Sequence, residues 1–268
     1  LPRHEGPQDN FVRYPIVYDH PTWMDWQNPP TSNDGQIGHS DFPRHADVGL
    51  PVIWQSYYAT GGALFGSWEF LNWRFAAMNT APSDRPESWG LDADGHSDKV
   101  NFMGRLGVVP LFGLEAGLNV SRGPYLDEDA EARLDGKDRT DFDQVLYGLD
   151  LAYSIGDLDL YLEVYRNEWE AHNIDGDLIV WAGYLEAKYT FVPGFYGAVR
   201  VGREQFSQIE NSVGEDKAWD GNHTRYEVGA GYWIRSNLVI RGQIEFNQTE
   251  RGRNLDDNVY SLGVGLSF

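Results

Sequence analysis

The chain has 268 residues, no cysteine, 30 glycines and a formal net charge of −20. The absent thiol excludes disulfides, thiolate metal sites, cysteine nucleophiles and a self-attached c-type haem, and the acidic balance argues against a nucleic-acid partner. No run approaches the ~18 apolar residues of a membrane helix, which leaves alternating strands as the only way for this composition to cross a bilayer.

Residues 1–47 read as an irregular segment. Pro2, Pro7, Pro15, Pro21, Pro29, Pro30 and Pro43 interrupt it, and only Phe11 to Tyr18 hints at a strand, broken by Pro15. His4, His20, His39 and His45 fall here at spacings that match no metal-ligand motif, so they read as loop histidines.

From residue 48 onward the sequence reads as strands: 48–59 (interrupted by Pro51), 66–79, 99–109, 112–122, 142–154, 157–169, 178–191, 194–207, 223–234, 237–250 and 258–268. The reason is a period of two. Leu114, Ala116, Leu118 and Val120 oppose Glu115, Gly117, Asn119 and Ser121. Tyr226, Val228, Ala230 and Tyr232 oppose Arg225, Glu227, Gly229 and Gly231. The last strand sets Tyr260, Leu262, Val264, Leu266 and Phe268 against Ser261, Gly263, Gly265 and Ser267. Each strand therefore has an apolar face and a polar face. A soluble sandwich would share that property, so length decides. These strands run well beyond the ~5–6 residues usual in globular sheets, and a tilted membrane strand needs ~9–11. The fold class expected is all-β: an antiparallel transmembrane β-barrel with about 11–12 strands in this chain.

The connections alternate in length. Val109-Pro110-Leu111, Ile155-Gly156-Asp157, Val192-Pro193-Gly194 and Arg235-Ser236-Asn237 read as tight turns. Longer polar stretches lie near 80–98, 123–141, 170–177, 208–222 and 251–257. Short turns at one end and long loops at the other is the asymmetry of outer-membrane barrels. Tyr153, Tyr189, Phe191, Phe195, Tyr232 and Phe268 gather near the turns, as an interfacial aromatic girdle would.

In such a barrel Tyr260, Leu262, Val264, Leu266 and Phe268 face lipid, and the polar set lines the interior: Arg74, Arg105, Glu115, Asp150, Glu163, Glu186, Arg200, Glu204, Glu227, Arg241 and Glu245. Asp159, Arg225 and Arg235 share that phase. These charges set a field across a water-filled pore, or pair across neighbouring strands as ordinary wall residues. The acidic stretch Asp127-Glu128-Asp129 with Asp135, Asp138, Asp141 and Asp143 offers oxygen ligands for Ca²⁺ but lacks an EF-hand order, so a solvated loop is the plainer reading. No other cofactor is implied. Asn119-Val120-Ser121, Asn222-His223-Thr224 and Asn247-Gln248-Thr249 match glycosylation acceptors and are discounted in a bacterial setting.

Several segments resemble the phosphate-selective porin (O/P-type) superfamily of sixteen-stranded outer-membrane channels. They are Asn72-Trp73-Arg74-Phe75-Ala76-Ala77-Met78-Asn79, then Gly104-Arg105-Leu106, Pro110-Leu111-Phe112-Gly113-Leu114, Gly117 and Ser121-Arg122-Gly123-Pro124-Tyr125, within a resemblance covering about 40–268. It implies a Gram-negative outer-membrane location and passive diffusion of small solutes. It also implies that five strands precede the eleven here, and that residues 1–47 match a segment folding inward to constrict the pore. Phosphate specificity is not carried over, because this interior is acid-rich. Partners expected are membrane lipid, small solutes, and further copies in a homotrimer or a periplasmic partner. The alternative is a barrel sheathing a multihaem cytochrome. An enzyme is not expected: the phospholipase barrels place a Ser–His pair two residues apart on one strand, whereas His39-Ser40 and His96-Ser97 are adjacent and fall in loops.

Overall fold

The structure, a computed structural model, describes residues 27, 29–30, 32–35, 50–54, 59–83, 99–126, 134, 136–250 and 258–266. Its main body is one antiparallel sheet of eleven strands. In chain order the strands are β1 (Gly61–Trp68), β2 (Leu71–Met78), β3 (Asn101–Leu111), β4 (Leu114–Pro124), β5 (Asp143–Ile155), β6 (Leu158–Glu170), β7 (Asp177–Val192) and β8 (Phe195–Phe206), then the short β9 (Gln208–Glu210) and β10 (Asp216–Ala218), then β11 (His223–Arg235), β12 (Leu238–Thr249) and β13 (Asn258–Leu266). Each strand pairs with its sequence neighbour, except that β8 pairs with β11 and the β9–β10 hairpin stands apart. Among the described residues β1 and β13 pair on one edge only.

The two faces differ as the period of two demands. On β12, Arg241, Gln243, Glu245 and Asn247 are buried, while Ile240, Ile244 and Phe246 are exposed. On β13, Leu262 is 80% and Tyr260 72% exposed. A sheet that buries arginine and glutamate while exposing leucine, phenylalanine and valine along strand after strand is inverted relative to a water-soluble fold. Its apolar exterior fits hydrocarbon, and between the two edge strands its backbone groups are satisfied across the ladder, as a bilayer requires.

Turns and loops segregate. Residues 69–70, 112–113, 156–157, 193–194 and 236–237 make two-residue connections at one end. Gly113, Gly156 and Gly194 take positive φ there, a conformation that a Cβ disfavours. Phe112, Phe70, Phe191 and Phe195 are exposed at this end, and Phe191 stacks between Tyr189 (5.2 Å) and Phe195 (5.6 Å).

Three details differ from the sequence reading. The described residues of 48–59 lie outside any strand. Leu50 makes an isolated bridge to Gln27, and Leu50, Pro51, Val52 and Ile53 are buried consecutively, without alternation. Pro51 supplies no ladder donor. The stretch 66–79 is two strands, because the chain reverses at Glu69-Phe70 and Trp68 pairs with Leu71. Glu69 has φ 53, unusual for a residue with a Cβ, and no turn residue announced it. One strand fewer and one more leave the count at eleven. Finally, Pro110 lies within β3 at a register shift, and the turn falls at Phe112-Gly113.

Candidate functional site

Alternate residues of β2 to β12 converge on the enclosed face, and the predicted interior charges lie there in two distinct regions. On β7–β12 they are buried and closed upon one another. Arg200 donates from Nε to Glu227 Oε2 (2.5 Å) and from Nη2 to Glu227 Oε1 (2.8 Å), a bidentate pair, and its Nη1 lies 3.5 Å from Glu186. Gln243 donates to the same Glu227 (2.8 Å). Next to it, Arg225 contacts Glu245 (3.2 Å) and donates to Asn247 (2.9 Å), whose amide donates back to Glu245 (2.7 Å). Arg200, Glu186 and Glu227 are no more than 2% exposed. Such charges survive without water because each has an ionic partner, and Arg200 and Glu227 are hydrogen-bonded to one another as well. Arg241, Glu163 and Glu204 are buried on the same face. Arg235 lies beyond a register shift at the turn end and is exposed.

On β1–β6 the enclosed face opens into a cavity of about 620 Å³. It is lined by Phe65, Asn72, Arg74, Arg105, Glu115, Asp150, Tyr161, Glu163 and Tyr184, among others. Arg105 is the hub. It donates to both carboxylate oxygens of Asp150 (3.0 and 2.6 Å), to Glu115 (3.1 Å) and to Asn72 (2.7 Å), and Asn119 donates to Asp150 (2.7 Å). Two glycines make room for this cluster. A Cβ on Gly117 would lie 2.6 Å from both Arg105 Nη2 and Asp150 Oδ2, and a Cβ on Gly107 would lie 2.5 Å from Arg105 Nη1. Arg74 is exposed into the same cavity.

The enclosed face is not polar throughout. At the long-loop end Trp169, Trp219, Leu178, Val180, Phe206, Tyr125 and Phe142 pack with Leu50, Val52 and Ile53 into an apolar core. Trp219 meets Phe206 edge-on at 4.6 Å and Trp169 at 6.1 Å. Leu178, Val180, Ala182 and Tyr184 share the phase of Glu186 on β7, so one strand face is apolar near the loops and charged near its middle. The amino-terminal residues are tied to this end. Gln27 donates to Glu204 (2.9 Å), and Gln144 donates to the Val52 carbonyl (2.9 Å) while accepting from the Ser83 amide (3.0 Å). Trp54 donates through its amide to the Pro82 carbonyl (2.7 Å). Asn33 donates to the Glu210 carbonyl (2.9 Å) and Lys217 to the Gly35 carbonyl (2.6 Å). Asp34 accepts from the Ser212 amide (2.9 Å), a bond that holds the Asp34 carboxyl below its ordinary range. Asn72, Gln144, Tyr161 and Tyr184 are absent from the interior residues expected from the sequence, because uncharged side chains on the inner phase carry no charge signal.

In the acidic loop, Asp138 and Asp141 form a capping box around the 3-10 turn Arg139–Asp141, and Asp143 pairs with Arg122 (2.7 Å). The Thr140 amide holds the Asp138 carboxyl below its usual range. Asp127, Glu128, Asp129, Asp135, His4, His20, His39, His45, His96 and Phe268 lie outside the described residues. No group of three histidine or acidic ligands occurs among the described residues.

This architecture is the porin-like antiparallel β-barrel. The chain is similar to a refined porin structure (TM-score 0.55, 15% identity, 87% of this chain and 71% of the other). It is also similar to the outer-membrane channel DcaP of Acinetobacter baumannii (0.55, 10%, 77% and 61%) and to the anion-selective porin of Comamonas acidovorans (0.52, 12%, 83% and 63%). It spans less than two thirds of the latter two chains. No family model and no curated protein matches the sequence.

Proposed function

We propose that this chain forms the wall of a porin-like channel in the bacterial outer membrane, passing small polar or charged solutes by diffusion. The observation that carries the reading is the inverted sheet: an exposed apolar exterior around a charged, enclosed face. Tyr260, Leu262, Val264 and Leu266 meet lipid. Arg74, Arg105, Glu115, Asp150 and Glu163 line the solute path at the cavity. Glu186, Arg200, Glu204, Glu227, Arg241 and Glu245 stiffen the opposite wall. Residues 27, 29–30, 32–35 and 50–54 narrow the interior from the long-loop side, supported by their bonds to Glu204, Gln144 and the β9–β10 hairpin. That filling of the interior weighs against a wide sheath around a cytochrome. Purified native protein added to a planar bilayer is expected to give stepwise ohmic conductance, and a barrel that inserts but passes no ions would overturn the reading.

A further inference from the structure

We infer that Arg74 is the position at which this channel discriminates solutes by charge, an inference that rests on the channel reading. Five charged side chains line the cavity: Arg74, Arg105, Glu115, Asp150 and Glu163. Arg105 is held by four hydrogen bonds to Asp150, Glu115 and Asn72. Its charge is answered by both Asp150 and Glu115, so the cluster carries one net negative charge, and four of its five donors are engaged. Arg74 stands directly opposite Arg105 across the β2–β3 ladder. Like charges in register repel, yet the two differ in fate: the carboxylates of β4 and β5 draw Arg105 away along the wall. Arg74 has no carboxylate on β1 to answer it, because its partner there is Phe65. Among the described residues Arg74 makes no ion pair or hydrogen bond, and it remains exposed to the cavity.

The interior is acid-rich as a whole, so its net charge alone would favour cations. A charge already paired with a neighbour acts on a passing ion as a dipole, whose field falls off faster than that of a lone charge. The buried pairs of β7–β12 are of that kind. Arg74 is the exposed cation of this cavity that meets no carboxylate across either neighbouring strand. It repels cations and offers a planar pair of donors to an anionic group. Phe65, Tyr161 and Tyr184 give the same cavity apolar walls.

The test is the permeability ratio of potassium to chloride, taken from reversal potentials across a bilayer with the full chain. Arg74→Gln is expected to raise the ratio at least about twofold, Arg74→Lys to keep the parent value, and Arg203→Gln, on the exterior, to change nothing. Because the parent chain has no cysteine, Arg74→Cys reads the charge after folding. A cationic thiol reagent added to open pores must move the ratio back toward the parent. Conducting pores whose ratio ignores both Arg74→Gln and the cationic reagent would overturn the inference and leave the channel reading intact. A parent protein that conducts nothing would overturn both.

Discussion

The two regions of the interior solve the same problem in opposite ways. On β7–β12 charge is locked away: Arg200, Glu186 and Glu227 lie out of reach of water and bind one another. On β1–β6 charge is kept at the edge of a cavity, where Arg105 is about a fifth exposed and Glu115 nearly half. One half of the wall uses ionic groups as mortar, and the other presents them to solute. Composition cannot separate these roles, because the same residue types serve both.

Removing one partner is the most forceful way to break that comparison. Glu227→Gln removes the bidentate partner of buried Arg200, leaving it Glu186 at 3.5 Å, and should destabilise the barrel by about 3 kcal/mol. Asp150→Asn, the matching change in the cavity, should cost about 1–2 kcal/mol, since water can reach Arg105. Urea unfolding from lipid vesicles reads both, and equal losses would erase the distinction. Next in size is the exterior. Leu262→Arg on β13 places a charge in hydrocarbon and should cost about 2–4 kcal/mol by the same assay; a neutral result would remove β13 from the lipid-facing wall.

Gly117→Ala tests how tightly the cavity cluster is packed. The added methyl would collide with the Arg105–Asp150 pair, at a cost of about 1–3 kcal/mol and with a changed single-channel conductance. Unaltered conductance would show that this cluster does not border the solute path. The smallest effect belongs to Asp34. The Ser212 amide holds the folded Asp34 carboxyl below the ordinary aspartate range, so the bond contributes fully above that range and is lost as pH falls through the lowered folded value. Hydrogen exchange at the Ser212 amide should accelerate over that acid range, and Asp34→Asn should abolish the transition.

Much of this was legible in the sequence, for a simple physical reason. A strand with one oily and one wet face repeats every two residues, so the phase of Glu163, Glu186, Glu227 and Arg241 followed from their neighbours alone. What escaped has equally definite causes. The reversal at Glu69-Phe70 uses a residue with no turn preference, so 66–79 read as one strand. Pro110 resembled a turn but is tolerated at a bulge. The apolar core under the long loops places Leu178, Val180 and Trp169 on the inner phase, where hydrophobicity mimics a lipid-facing pattern. The division of charges into paired and lone is tertiary: Arg74 and Arg105 look alike in sequence, and only the carboxylates of β4 and β5 distinguish them.

The central claim is that a single sheet faces lipid on one side and a polar interior on the other. Nitroxide labels at single cysteines along β12, residues 238–248, would test it most directly in proteoliposomes. The account predicts a period of two, with lipid-dissolved oxygen relaxing the labels at 240, 244 and 246, and those at 241, 243 and 245 shielded from it. Labels that sense lipid uniformly, or not at all, would contradict it.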